Sequence, residues 1–298
     1  MDEQINNTPE QNEEDVKPPK KKKNRLGRFL LFVAVIAVIW WYNNFTIKTP
    51  EFTVVSPKIK SDIKIAVMSD YHAADYGIDN EQIMAKIHEI DPDIVFMLGD
   101  MYSRKSEWEL IEIPVKLAES VVQEGYRLYF VPGEHDTSQE YLDAVSAAGA
   151  HVMDYMGEKI EVNGTNLQIL GIDNVYYSDT FDLNNVFTPD PYSFSILMAH
   201  IPNYEKFADF GADLTLCGDS HGGIIQLPFG RGPAYYSETG TWFPELFGEK
   251  DNVYDKGFFS YEGGAMFITS GLGSYPVPAR LNNRPEIAVI TLTNNNTE

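Results

Sequence analysis

Past residue 62 the chain alternates short, almost wholly apolar runs with longer stretches of helical periodicity. Residues 63–68, 94–98 and 127–131 are rich in β-branched and aromatic side chains, the composition of strands buried on both faces. Apolar positions at helical spacing occupy 81–90, 107–123 and 139–148. This βαβαβ order predicts parallel strands with helices packed outside them. The second half is richer in strand-like runs, at 167–172, 194–199, 213–217, 258–261, 265–269 and 287–292, with Glu262-Gly263-Gly264 as a hairpin turn. The pattern predicts an α/β domain of two packed sheets flanked by helices.

A different pattern precedes it. Residues 1–25 are polar, lack apolar periodicity and carry Lys20, Lys21, Lys22 and Lys23, a composition that cannot bury a core and predicts a disordered cytoplasmic tail. From Phe29 to Tyr42 every residue is apolar or aromatic, so residues 26–45 read as a transmembrane anchor, with Trp40, Trp41 and Tyr42 suited to an interface. A secretory signal would need small residues at a cleavage site, and bulky ones stand there instead. The basic cluster before the span predicts a cytoplasmic N-terminus and a domain outside the cell membrane. Residues 46–62 read as a linker and 63–298 as the folded domain.

Charge narrows the function. The 44 acids outnumber 23 bases, and the first 28 residues are nearly balanced, so the domain carries the excess. Such a surface repels polyphosphate backbones, which argues against nucleic-acid binding. Cys217 is the single cysteine, so no internal disulfide forms.

Strand after strand ends in a potential metal ligand. Asp70 and His72 follow the first as Asp-Tyr-His; Asp100 follows the second in Gly-Asp; Glu134 and His135 follow the third in Pro-Gly-Glu-His-Asp. His200 follows the strand at 194–199, and Asp219 and His221 follow the next in Gly-Asp-Ser-His-Gly-Gly. Loops at the carboxyl edge of parallel strands converge on one crevice, and glycines at 99, 133, 218, 222 and 223 permit close approach of backbone to a ligand. One such motif alone is weak; five in order are hard to obtain by chance.

In that order the chain resembles the calcineurin-like metallophosphoesterase superfamily, and within it the small bacterial membrane-anchored branch. The family's series is Asp-x-His, Gly-Asp, Gly-Asn-His-Asp/Glu, a lone His and Gly-His-x-His. The resemblance spans essentially residues 60–292 and includes Thr269-Ser270-Gly271-Leu272-Gly273 and Pro278-Ala279-Arg280-Leu281-Asn282 followed by Pro285-Glu286-Ile287. It implies a four-layer α/β/β/α sandwich and a metallophosphoesterase in which metal-activated water attacks phosphorus. It assigns the first of two divalent ions to Asp70, His72, Asp100 and His221. The second falls to Asp100, Glu134, His200 and Asp219, with His135 as the proton-donating or phosphate-contacting histidine. An envelope or lipid-linked phosphoester is the implied substrate.

Two positions depart from the family, and both belong to the second ion: Glu134 replaces Asn and Asp219 replaces His. Four carboxylates then face two divalent ions and the cage is formally neutral. That should weaken attraction for a dianionic monoester and favour hard ions such as Mn, Mg, Fe or Ca over Zn at the second site. Ser103 stands where relatives often carry an acid supporting the catalytic histidine. Arg104 could meet a phosphate oxygen, or could simply open the next helix at the surface. The alternative to an enzyme is a catalytically impaired metal-binding envelope protein of the same fold. His88, His151 and Cys217 match no motif and read as structural. The aromatic stretch 228–255 should cover the crevice, touch the membrane surface or pack on the sheet edge.

Overall fold

A computed structural model of the chain describes residues 25–73, 77–173, 181–236, 239–247, 253–274 and 278–294. It divides into two units, Met1–Val38 and Ile39–Glu298. The expected disordered tail lies outside the described residues except for Arg25. Helix α1 (Arg25–Phe45) begins in the first unit, whose described apolar side chains, from Leu26 to Val38, are largely exposed. Its 21 residues make it long and apolar enough to cross a membrane, with a span of about 31 Å at 1.5 Å per residue.

The second unit contains β1 (Glu51–Val55), β2 (Ile63–Met68), α2 (Asn80–Ile90), β3 (Ile94–Met97), α3 (Trp108–Gln123), β4 (Arg127–Phe130), α4 (Gln139–Ala147), β5 (His151–Val152), β6 (Met156–Val162) and β7 (Thr165–Ile172). It continues with β8 (Phe194–Ala199), α5 (Tyr204–Phe210), β9 (Leu214–Cys217), β10 (Tyr235–Tyr236), β11 (Thr241–Trp242), α6 (Pro244–Phe247), β12 (Gly257–Tyr261), β13 (Gly264–Ile268) and β14 (Ala288–Thr293). One sheet has the order β1-β14-β2-β3-β4-β5, the other β12-β13-β9-β8-β7-β6, and β10 pairs with β11 in a separate ribbon. From β2 to β5 the strands run parallel, with α2, α3 and α4 as crossovers. In the second sheet β7, β8, β9 and β13 are parallel, and β6 and β12 pair antiparallel at its edges.

The continuous apolar runs have a simple cause. Alternate side chains of each central strand enter different cores: Val95 and Met97 meet α2, α3 and α4, while Ile94, Phe96 and Leu98 meet the other sheet. A third core lies between the second sheet and α5, through Leu197, Ala199, Phe207 and Ile268. The architecture is therefore an α/β/β/α sandwich of four layers. An Asp79–Gln82 capping box fixes the start of α2. Residues 46–62, expected as a linker, supply β1, and Lys48 makes a parallel bridge to Glu286. The domain's ordered chain thus starts at the end of α1.

Candidate metal centre

Loops leaving β2, β3, β4, β8 and β9 meet at the carboxyl edges of the two sheets. Their backbones cross-brace: Asp70 N–H donates to Gly99 O at 2.9 Å and Gly218 N–H to His200 O at 2.8 Å. Gly133 approaches so closely that a Cβ there would fall on the Asp100 carboxylate, and one on Gly218 would fall on Ser69. Asp70, His72, Asp100, Asp219 and His221 all have left-handed backbones, with φ between 43° and 65°. That conformation is uncommon outside glycine and persists where surrounding contacts enforce it. It concentrates here on residues that can ligate.

Three overlapping groups bring ligand atoms within 4.8 Å of one another: Asp70 with His72 and His221, His72 with Asp100 and His135, and Asp70 with Asp100 and His200. Asp100 stands at the middle. Its Oδ2 lies 3.2 Å from His200 Nε2 and 3.9 Å from Nε2 of both His72 and His135. His221 Nε2 is 3.6 Å from Asp70 Oδ1. Asp219 Oδ1 lies 3.7 Å from His200 Nε2. Asp219 and Glu134 enter none of the three groups, and Glu134 stands further out: its side chain is 52% exposed, with Oε1 3.6 Å from His135 Nε2. Arg104 lies beside His135, its backbone N–H donating to Nδ1 at 2.8 Å and its guanidinium donating to the Glu134 carbonyl at 3.0 Å.

Two residues outside the sequence-predicted set hold this cluster in shape. Asp136, almost wholly buried, accepts from the N–H groups of Asp100, Met101 and Gly133 at 2.6, 3.1 and 2.9 Å. Its position after Glu134-His135 was the available signal. Arg280 is buried, and its guanidinium donates to the carbonyls of Ser270, Gly273 and Asn283. It clamps the loop whose Leu272 and Gly273 N–H groups donate to Ser69 O and Asp70 O. Nothing local in the sequence announces this, because its partners are backbone oxygens.

The electrostatics call for a cation. Burial, reinforced by Asp100 and Asp219, raises the Asp70 carboxyl to about 7 despite His200. Burial also pushes Asp100 upward, but the charge and hydrogen bonding of His200 prevail and hold it at about 2. Burial disfavours protonation of His200, yet Asp100, Asp70 and Asp219 together lift it well above its ordinary value. Burial depresses His72 to about 3, against Asp100, and drives His221 well down with the help of His72 and Arg280. Three acids thus crowd one imidazole, which must carry their compensating proton.

The donor set fits divalent ions. His200 is fully buried and its Nδ1–H donates to the Leu98 carbonyl at 2.6 Å, leaving Nε2 facing the acids, 3.2 Å from Asp100 Oδ2. A ligating imidazole is characteristically oriented in this way, through its other nitrogen. Asp70, His72, Asp100 and His221 could hold one ion, and Asp100, His200 and Asp219 a second.

Residues 63–223 match the family model described as calcineurin-like phosphoesterase. An uncharacterized metallophosphoesterase of Bacillus subtilis (strain 168), YkuE, is 26% identical over 261 residues, covering 84% of this chain and 87% of that protein. An uncharacterized metallophosphoesterase of Aquifex aeolicus (strain VF5) is 25% identical, over 88% of this chain and 98% of that one. The uncharacterized Bacillus subtilis protein YpbG is 26% identical over 83% of this chain and 87% of its own length.

Proposed function

The chain belongs to the calcineurin-like phosphoesterase family, and from that premise we propose a membrane-anchored phosphoesterase acting outside the cytoplasmic membrane on an envelope or lipid-linked phosphoester. The observation that carries the reading is His200: a buried imidazole, fixed by a backbone carbonyl through one nitrogen, offers the other to a cluster of carboxylates. Two divalent ions, when bound, would polarise the phosphoryl group and supply activated water at neutral pH. The protein's own groups do the rest. Asp100 bridges the two halves of the donor set, and Asp136 holds the backbone on which Asp100 turns.

In this reading His135 serves the leaving oxygen. Its Nδ1 accepts from the Arg104 N–H, so its Nε2 carries the proton and can donate to that oxygen. Arg104 holds His135 in place; its guanidinium is engaged by Glu134 O, which weakens its case as a phosphate contact. The altered second half, with Glu134 and Asp219, favours hard ions there and a less charged substrate, a diester or lipid pyrophosphate, over a dianionic monoester. The anchor reading draws on α1 and on the basic residues Arg25 and Arg28 at its start, against Lys48 beyond its end.

The test is direct. The full chain in detergent is loaded with Mn²⁺, Fe²⁺, Zn²⁺ or Ca²⁺, its bound metal counted, and turnover of a chromogenic diester and monoester measured. The expected result is two ions and diester hydrolysis, reduced about 10²–10³-fold or more by Asp100→Asn, the scale for a group acting directly on transition-state charge. Activity indifferent to Asp100→Asn would overturn the reading. A second reading, an impaired metal-binding envelope protein, draws on the outward-turned Glu134; metal uptake without turnover of either ester selects it.

A further inference from the structure

The loop that follows His221 carries side chains that a water-soluble surface does not need. Phe229 is 93% exposed and Trp242 65%, and Ile225, Tyr235, Leu246 and Leu281 are each exposed by more than a third. Several of these are neighbours. Ile225 bridges in parallel to Leu281, Phe229 lies in the turn closed by the Gln226–Pro233 bridge, and the Tyr235 and Trp242 rings pack 5.0 Å apart. Ile225 is only four residues beyond the candidate ligand His221. Through Ile225 the patch adjoins the loop that carries His221, and it forms a rim beside it.

That rim is continuous with the last turn of α1. Leu281 directly follows Arg280, whose backbone N–H donates to Asn44 Oδ1 at 2.9 Å while Asn44 Nδ2 donates to Arg280 O at 3.1 Å. The Trp40 indole N–H donates to Pro278 O at 3.0 Å. Arg284 lies over the Tyr42 ring at 4.3 Å and donates to its hydroxyl and to Thr46 Oγ1, both at 2.9 Å. Asn43 and Asn44 are buried. The residues at the end of the span therefore belong to the wall from which the exposed rim extends, with no free tether between them.

We propose that this rim docks on the lipid surface, so that the metal crevice opens onto the headgroup layer and takes its phosphoester from a lipid held in the bilayer. The inference rests on the reading of α1 as a membrane anchor. Aromatic and aliphatic side chains on a strongly acidic protein bind a bilayer by apolar insertion rather than by attraction to anionic lipid. The anchor already confines the rim to the surface, so weak intrinsic affinity is enough. Trp40, Tyr42 and Asn44, at the end of α1, pack on the wall that carries the rim, which favours the bilayer over a protein partner for these apolar groups.

The test places a nitroxide on the full chain, one position at a time, in phosphatidylcholine vesicles; the native Cys217 is buried and does not compete for the label. Phe229→Cys and Trp242→Cys report on the rim, Val33→Cys on the anchor, and Tyr192→Cys, 87% exposed before the amino end of β8, on water. The proposal expects labels at 229 and 242 to collide with oxygen far more than with a water-soluble nickel complex, as at 33, and the label at 192 to show the reverse. Rim labels behaving like 192 overturn it, as do rim labels shielded from both reagents, the signature of a protein partner or a second copy. A label at 33 exposed to nickel removes the anchor reading and this inference with it. None of these readouts depends on turnover, so an inactive chain separates the outcomes equally well.

Discussion

The two halves of the donor cluster are built differently. Asp70, His72 and His221 form a buried group in which Asp70 accepts from the Asp219 N–H, His72 Nδ1 shares a 3.3 Å hydrogen bond with Ser103 and His72 stacks on His221 at 5.1 Å. The other half has one buried imidazole, His200, beside Asp219, whose side chain is 35% exposed, while Glu134, 52% exposed, stands against His135 instead. The fold has already desolvated and oriented the first half. In the second, water competes for the carboxylates until an ion gathers them, at a cost in side-chain freedom. The difference predicts unequal affinities: one ion bound tightly, one exchangeable.

The sharpest way to break that comparison is to remove one ligand from each half. His221→Ala should eliminate the tightly held ion and lower turnover by about 10²-fold or more. Glu134→Gln should leave that ion in place and reduce turnover by about tenfold, the cost of loosening a group that the fold leaves in solvent. Metal content after gel filtration and kcat measure both. Equal losses would mean that the two halves work as one.

Next in size is the charge of the second half. Glu134→Asn combined with Asp219→His replaces two acids by the neutral groups of the family pattern and should raise monoester turnover by about tenfold, an energy of about 1.4 kcal/mol. The diester should gain less, because it carries less charge. No gain for the monoester in the double variant would remove the argument that a neutral cage disfavours dianions.

These contrasts also show what could be read from the chain. The central strands were legible because each alternates between two apolar cores and so appears as an unbroken apolar run, and the candidate ligands stood out because each follows such a run. β6, the antiparallel edge strand, was missed: Glu158, Lys159 and Glu161 make it look like a polar loop. β1 was missed because it pairs with β14, from the far end of the chain, and is exposed along one side. Asp136 and Arg280 act through backbone groups, and no residue pattern records which carbonyl or N–H a side chain will meet. Glu134 carried the right chemistry, but its outward direction is set by the open side of the crevice rather than by its motif.

Acidity separates the metal-free from the loaded cluster. Asp70 is raised to about 7 by burial and His200 lies well above its usual value, so both bind protons in the folded state that the unfolded chain releases earlier. Stability from such groups is complete below their unfolded values and is lost as pH rises through the folded ones. His72 and His221, held low by burial, act oppositely, but only below about 6.5, where unfolded imidazoles take up protons. In the window from pH 6.5 to 8 the first pair acts together with Asp136, whose carboxyl burial also raises to about 7; above about 7 the carboxyls are spent and His200 carries the effect. Metal-free protein should lose up to about 1.4 kcal/mol per proton per pH unit in that window, and manganese-loaded protein should not. Thermal melts after chelation, at pH 6.5 and 8, measure it; parallel melts with and without metal would show that the acids are not the groups an ion neutralises.

The smallest effect concerns how the imidazoles are aimed. His200 is held by the Leu98 carbonyl at 2.6 Å, a backbone group that no substitution removes, whereas His72 relies on the Ser103 hydroxyl at 3.3 Å. The longer, neutral bond is the weaker. Ser103→Ala should therefore lower affinity for the tightly held ion by only about threefold, below the tenfold or more that loss of a strong orienting partner brings, with the second ion unaffected. Competition with a chromogenic chelator reads both ions separately. A loss of tenfold or greater would mean that Ser103 holds His72 as firmly as the backbone holds His200, and the two halves would then differ in their carboxylates alone.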